Sequence, residues 1–222
     1  DIMTGSMQDV DYLAQLNNLD ISVSDLSNSF CIYSIQGPSS LSCLMEICDS
    51  DKLTNLNYYD FCDLEINSIW VRVGRLGYTG ERGFELIVQK QFSKQVWKRL
   101  LSVAESADLL TADILRIEAG FILFCNELSI KPSVSDLSME RLVTWSHDIK
   151  ITPSLHLVCF KAKSRNTPIL WHQPYPRLPS YGEILITSAC ISPICDSVLG
   201  LGFVNAADLV RVEGVIDPFG EF

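Results

Sequence analysis

Apolar positions along the chain change period several times, and each change marks an expected element. Met7, Val10, Leu13 and Leu16 recur at helical spacing behind Ser6, a capping residue, which predicts a helix over Met7–Asn18. Ile21–Ser24 alternates as a short strand, and Phe30–Ile35 reads as a more apolar one. Gln36-Gly37-Pro38 then opens a helix whose buried face is Leu41, Leu44, Met45 and Cys48. A strand is expected around Phe61–Ile66. It is followed by Trp70–Val88, an apolar strand, a turn with Gly74, Gly77, Gly80 and Gly83 at every third place, and a second strand carrying Phe84, Leu86, Ile87 and Val88. Phe92, Val96, Trp97, Leu100, Leu101 and Ala104 form one stripe of a helix over Phe92–Ala107. A further helix is expected over Ala112–Phe124. It contains Arg116 and Glu118 among apolar residues; a buried Arg there requires a partner, and Glu118 is expected to pair or cap within its own helix.

From Ser129 to Ser154 the periodicity fades between Pro132 and Pro153, and a domain boundary is placed near residue 150. Beyond it, short strands are expected at Leu155–Lys161, Pro168–Trp171, Gly182–Thr187, Leu199–Asn205 and Leu209–Val215. The fold class is therefore α+β: residues 1–150 form a domain of mixed sheets and helices, and residues 151–222 a small antiparallel β-barrel.

Composition narrows the chemistry. A formal charge of −10 over 222 residues argues against nonspecific nucleic-acid or anionic-membrane partners. Residues 67–100 reverse the sign locally with Arg72, Arg75, Arg82, Lys90, Lys94, Lys98 and Arg99, either a solvated face or a place for a small anion. No apolar run approaches membrane-spanning length, and no signal peptide is read. The sequence opens on Asp1 rather than Met, so a start further upstream is expected. The eight cysteines form no C-x-x-C pair and mostly sit in apolar context, which reads as free thiols in a reducing cytoplasmic or mitochondrial-matrix compartment. His147, His156 and His172 are too scattered to suggest a triad, and no metal set is expected.

The glycine-rich turn is neither a dinucleotide fingerprint nor a P-loop, since G-x-G-x-x-G and Gly-Lys-Ser/Thr are missing. Four stretches nevertheless resemble one family in its own order. GYTGERGFELIV (Gly77–Val88) resembles the G-Y-T-G-E-x-G-[FY]-E signature of the aminomethyltransferase superfamily, which includes the glycine cleavage T-protein and the folate domains of dimethylglycine and sarcosine dehydrogenases. RIEAGFILFCNEL (Arg116–Leu128) resembles its R-L-E-A-G-x-x-L-Y-G-N-E/D segment, and SIQGPSS (Ser34–Ser40) its L-Q-G-P helix entry. YGEILITSACISPICDSVLGLGFV (Tyr181–Val204) resembles the pattern of its C-terminal barrel.

The resemblance implies a tetrahydrofolate-binding fold and one-carbon transfer from an aminomethyl donor, a small amine or a group on a carrier protein. It implies Tyr78 beside the pterin, Glu85 on the pterin's amidine-like edge and Arg116 reaching the folate. The glycines are then expected to let Tyr78 and Glu85 crowd a flat ring. The family's catalytic Asp lies upstream of the segment matching Thr4–Ser6; Asp1 is too close to serve, so no catalytic residue is assigned. Phe124-Cys125 replaces the family's Tyr-Gly, Pro132-Ser133-Val134 stands for its Pro-x-Glu, and Ala189-Cys190 for Ser-Gly. Two alternatives stay open: a non-catalytic folate- or partner-binding member, and the folate domain of a flavin-linked demethylating dehydrogenase.

Overall fold

The computed structural model describes residues 7–15, 23–49, 51–144, 152–161, 180–181 and 184–208. The chain divides into two compact units, Asp1–Asp108 and Leu109–Phe222.

The first unit opens with α1 (Met7–Ala14). Residues 16–22 lie outside the described ones, and Val23 and Ser24 are not in a strand. Its sheet is antiparallel with the order β1 (Phe30–Gln36), β4 (Gly83–Gln89), β3 (Ile69–Gly74), β2 (Phe61–Ile66). Period-two alternation sends Val71, Val73, Phe84, Leu86 and Val88 inward. They pack with Leu44 and Cys48 from α2 (Ser40–Met45) and the residues after it, and with Val96 and Leu100 from α3 (Ser93–Leu100). Met45, expected on the buried face, is exposed. The β2–β3 connection is a two-residue turn. Asn67 and Ser68 both take left-handed φ values, 52° and 61°, as a hairpin matched to strand twist demands. The α3 helix stops well before Ala107. Ser102 Oγ donates to the Arg99 carbonyl at 2.7 Å, and the last turn tightens into bonds such as Val103 N–H to Leu100 O. Trp97 stacks on Tyr33 at 5.3 Å between ring centroids rather than entering the core.

The second unit starts with α4 (Leu109–Glu118), which begins three residues before its expected start and ends six residues short of Phe124. Gly120 explains the stop. It adopts φ +77°, the Phe121 N–H returns to the Arg116 carbonyl at 2.8 Å, and the Gly120 N–H to Ile117 O at 3.1 Å. This is a Schellman ending, which glycine admits at least strain. The helix packs on a second antiparallel sheet of order β5 (Leu155–Lys161), β8 (Ser197–Asn205), β7 (Ile184–Ser192), β6 (Ser180–Tyr181). The β7 and β8 strands match the two central expectations, with β7 running five residues further than Thr187. The strands expected at Pro168–Trp171 and Leu209–Val215 lie outside the described residues. Residues 129–144, read above as a weak linker, pack Ile130, Leu137 and Met139 onto this sheet.

A buried polar network ties α4 to β7. Arg116, 2% exposed, donates from Nε to Asp113 Oδ1 (2.8 Å), from Nη1 to Phe121 O (3.1 Å) and Glu127 Oε2 (3.3 Å), and from Nη2 to Ser188 Oγ (2.8 Å). Glu127, fully buried, also accepts from the Leu123 N–H (2.7 Å), Thr187 Oγ1 (2.6 Å) and Ser188 Oγ (2.5 Å). Its four lone-pair sites are thereby filled. Consecutive strand residues normally face opposite ways. Thr187 and Ser188 reach the same carboxylate because the β7–β8 register shifts between Ile186 and Ser188.

Asp136 fastens the start of β5. It accepts from Ser133 N–H (2.8 Å) and Oγ (2.7 Å), Ser154 N–H (2.8 Å) and Leu155 N–H (2.8 Å). Burial alone would raise its pKa; the hydrogen bonds outweigh that and hold the carboxyl at about 2, below the usual 3.8. No described helix is long and apolar enough to cross a membrane.

Two outcomes are expected. A carboxylate depressed in the folded state stabilises above its unfolded pKa, and that contribution is lost as pH falls from about 4 to about 2. Denaturant unfolding across this window should therefore lose about 2 kcal/mol in the parent and much less in Asp136→Asn. Glu127→Ala strands the buried Arg116 and should cost about 3–5 kcal/mol by the same measurement, whereas the matched Arg116→Met/Glu127→Leu pair should cost less than the sum of its singles.

Candidate functional site

With Val73, Phe84 and Leu86 facing inward, the residues between them line the outer face of the first sheet. Across it, Ser34, Glu85, Gly74 and Phe61 fall in one register row, and Ile32, Ile87, Arg72 and Asp63 in the next. Glu85 is therefore central on this face. It is half-buried and has no hydrogen-bond partner among the described residues, and burial alone pushes its carboxyl above the ordinary carboxylate range. Tyr78 is exposed on the turn above, and Glu81 is exposed beside it.

The glycines of the turn serve an internal contact. An added Cβ would lie 2.0 Å from Gln36 Oε1 at Gly77 and 1.7 Å from it at Gly83, because the Gln36 side chain occupies that space. Gln36 Nε2 donates to Ser34 Oγ (2.8 Å) and Leu76 O (3.3 Å), and Oε1 accepts from Thr79 Oγ1 (3.4 Å). At Gly74 the space is taken by Leu76. Only Gly80, at φ +77°, requires glycine for its backbone. The space expected for a flat ring is, at Gly77 and Gly83, taken by the chain's own Gln36. Nothing in local composition signals this, since Gln36 lies more than forty residues from both glycines in sequence.

Three of the seven basic residues of this stretch are engaged locally. Arg72 makes a two-pronged pair with Asp63 (2.9 and 3.2 Å) and lies over the Phe61 and Trp70 rings. Arg75 donates to Leu56 O at 2.6 Å and covers Tyr58, and Arg99 reaches Ser102 and Glu46 O. Arg82, Lys90, Lys94 and Lys98 are exposed, as a solvated face requires.

Arg116 belongs to the second unit, with four of its five N–H groups committed to the network described above. It does have the partner its burial demands. Glu118 does not act within its own helix; Ser192 Oγ on β7 donates to it. The sequence marked Arg116 but missed Glu127, Thr187, Ser188 and Asp136, whose partners come from distant segments. All eight cysteines are free, and burial pushes the Cys190 thiol up to about 11, with the Glu118 and Asp113 charges adding to it. His147 and His172 lie outside the described residues, and among the described ones no three His, Cys, Asp or Glu side chains gather as metal ligands would.

Known proteins match this architecture. The family model described as the GCVT N-terminal domain matches residues 2–147. Aminomethyltransferases of Flavobacterium psychrophilum and Thermotoga maritima are 25% and 28% identical to the chain, over 89% and 92% of its length. That of Streptomyces coelicolor is 28% identical over 85%. The chain spans 55% to 59% of the length of these curated relatives. The crystal structure of glycine cleavage system aminomethyltransferase T from Bartonella henselae superposes with a TM-score of 0.64 at 22% identity, covering 80% of this chain and 52% of that one, a likeness of fold. The family match extends over well more than half the chain and joins both glycine-turn and Arg116 segments in one model, so the chain belongs to the aminomethyltransferase family of the glycine cleavage T-protein.

Proposed function

We propose that the chain is the tetrahydrofolate-binding part of an aminomethyltransferase, with Glu85 as the residue that holds the pterin. One observation carries this reading: Glu85 is a half-buried carboxylate, central on an open sheet face, with no hydrogen-bond partner among the described residues. The two buried carboxylates among the described residues, Glu127 and Asp136, have full sets of donors. A carboxylate partly removed from water gains most from a ligand that supplies two parallel N–H groups, and the amidine-like edge of a pterin supplies them. Tyr78, exposed on the turn, is the residue proposed to cover the ring, and Phe61 shares Glu85's row.

Tetrahydrofolate contributes the N5 that accepts a one-carbon unit; the chain's own residues bind and orient it. The family resemblance also assigns Arg116 to the folate; within its own unit it holds Ser188 and Glu127, with four of its five N–H groups donated. The donor is an aminomethyl group on a small amine or a carrier protein. The closing of the second sheet into a small barrel and a family domain boundary near residue 150 belong to the same proposal.

The test is titration calorimetry of the chain with tetrahydrofolate. Glu85→Ala should weaken binding by about 2–3 kcal/mol, the range for a charged hydrogen-bonding group. Because the bound form favours ionised Glu85, affinity should be full at neutral pH and fall as pH drops through its raised pKa, and Glu85→Gln should flatten that dependence. Equal binding by parent and Glu85→Ala, or none by the parent, would remove the reading.

A further inference from the structure

We propose that Gln36 is the positioning residue of this site: its carboxamide holds the glycine-rich turn on the outer sheet face and sets the surroundings in which Glu85 meets a ligand. The inference rests on the folate reading only for the identity of that ligand.

Gln36 and Glu85 are diagonal neighbours on one face, since Gln36 opposes Gly83 and Ser34 opposes Glu85. The carboxamide uses both donors and its acceptor on three different points, Ser34, Leu76 and Thr79, two of them on the turn. Ser34 Oγ accepts in this arrangement, and Ser34 is the residue opposite Glu85 in the register. The turn is built around this one side chain. A Cβ added at Gly77 or Gly83 would come within 2.0 or 1.7 Å of Gln36 Oε1, so a side chain at either position displaces it. A second latch fixes where Gln36 leaves the strand. The Gly37 N–H and Ser40 Oγ both donate to Arg82 O, at 2.8 and 3.1 Å, and Gly37 takes φ +117°, a conformation strained for other residues. Gln36 itself has no acid–base chemistry to offer. Its geometry instead governs how closely the turn covers Glu85 and how little water reaches it.

A purely space-filling role predicts only altered stability, so the test reads Glu85 directly. The Glu85 carboxyl is followed by carbon-13 NMR through a pH titration in the 222-residue chain, in Gln36→Ala, in Gly83→Ala and in the double variant, alongside calorimetry with tetrahydrofolate. Gly83→Ala wedges a methyl against an intact Gln36, so either single change should release the turn. Each should bring Glu85's titration down toward an ordinary carboxylate and weaken tetrahydrofolate about tenfold, the scale of one hydrogen-bonding contribution. The double variant should be no worse than either single, because Gly83→Ala acts through Gln36. Glu85 titrating in both singles as in the parent, or the double losing the product of the two single effects, would overturn the proposal. If the parent fails to bind tetrahydrofolate, the folate reading falls, while the Glu85 titration still decides the role of Gln36.

Discussion

The second unit depends on one demand: a guanidinium and a carboxylate removed from water must find every partner inside the protein. Arg116 and Glu127 meet it, and much local irregularity in that unit follows. The helix must stop at Gly120 so that the returning chain offers the Phe121 carbonyl to Arg116 and the Leu123 N–H to Glu127. The β7 strand must carry a bulge so that two successive hydroxyls, Thr187 and Ser188, face one carboxylate. Asn126 adds its amide to Ser188 at 2.9 Å. Such a network tolerates little, since loss of one member leaves charge or donors buried without partners.

The first unit repeats the logic with neutral groups. Gln36 fills the hollow left by Gly77 and Gly83, and Arg82 O receives two donors from the segment that follows. The four stretches that resemble the family therefore work as two pairs. SIQGP engages GYTGERG within the first unit, and RIEAG…NE engages the Thr-Ser of β7 within the second. Motif residues that look like ligand contacts are in large part fasteners between distant segments. Against that background Glu85 stands out, among the described residues, as a carboxylate half-buried at the centre of a sheet face with no donor from the fold.

Several elements were legible in the chain because their cause is local. Alternation in Trp70–Val88 and Phe30–Ile35 marked the strands of the first sheet, and the 3.6 spacing of Val96 and Leu100 marked α3. Boundaries were less legible. Helical spacing continues past Leu100 and Glu118, but a Ser102 back-bond and a left-handed Gly120 end the helices first. Residues 129–144 read as linker because their order comes from Asp136 and from contacts with the second sheet, neither of which has a period.

By itself the sequence determined the α+β class, the central strands and the family, because these rest on alternation, turn chemistry and ordered motifs. It also marked Glu85, Tyr78 and Arg116 as residues to examine. Only tertiary structure separated their roles. Whether a charged side chain is left open for a ligand depends on donors brought from elsewhere in the chain. Arg116 receives its partners from residues up to seventy-two positions away, whereas Glu85 receives none among those described. Desolvation and pairing are properties of neighbours in space, and no local pattern records them.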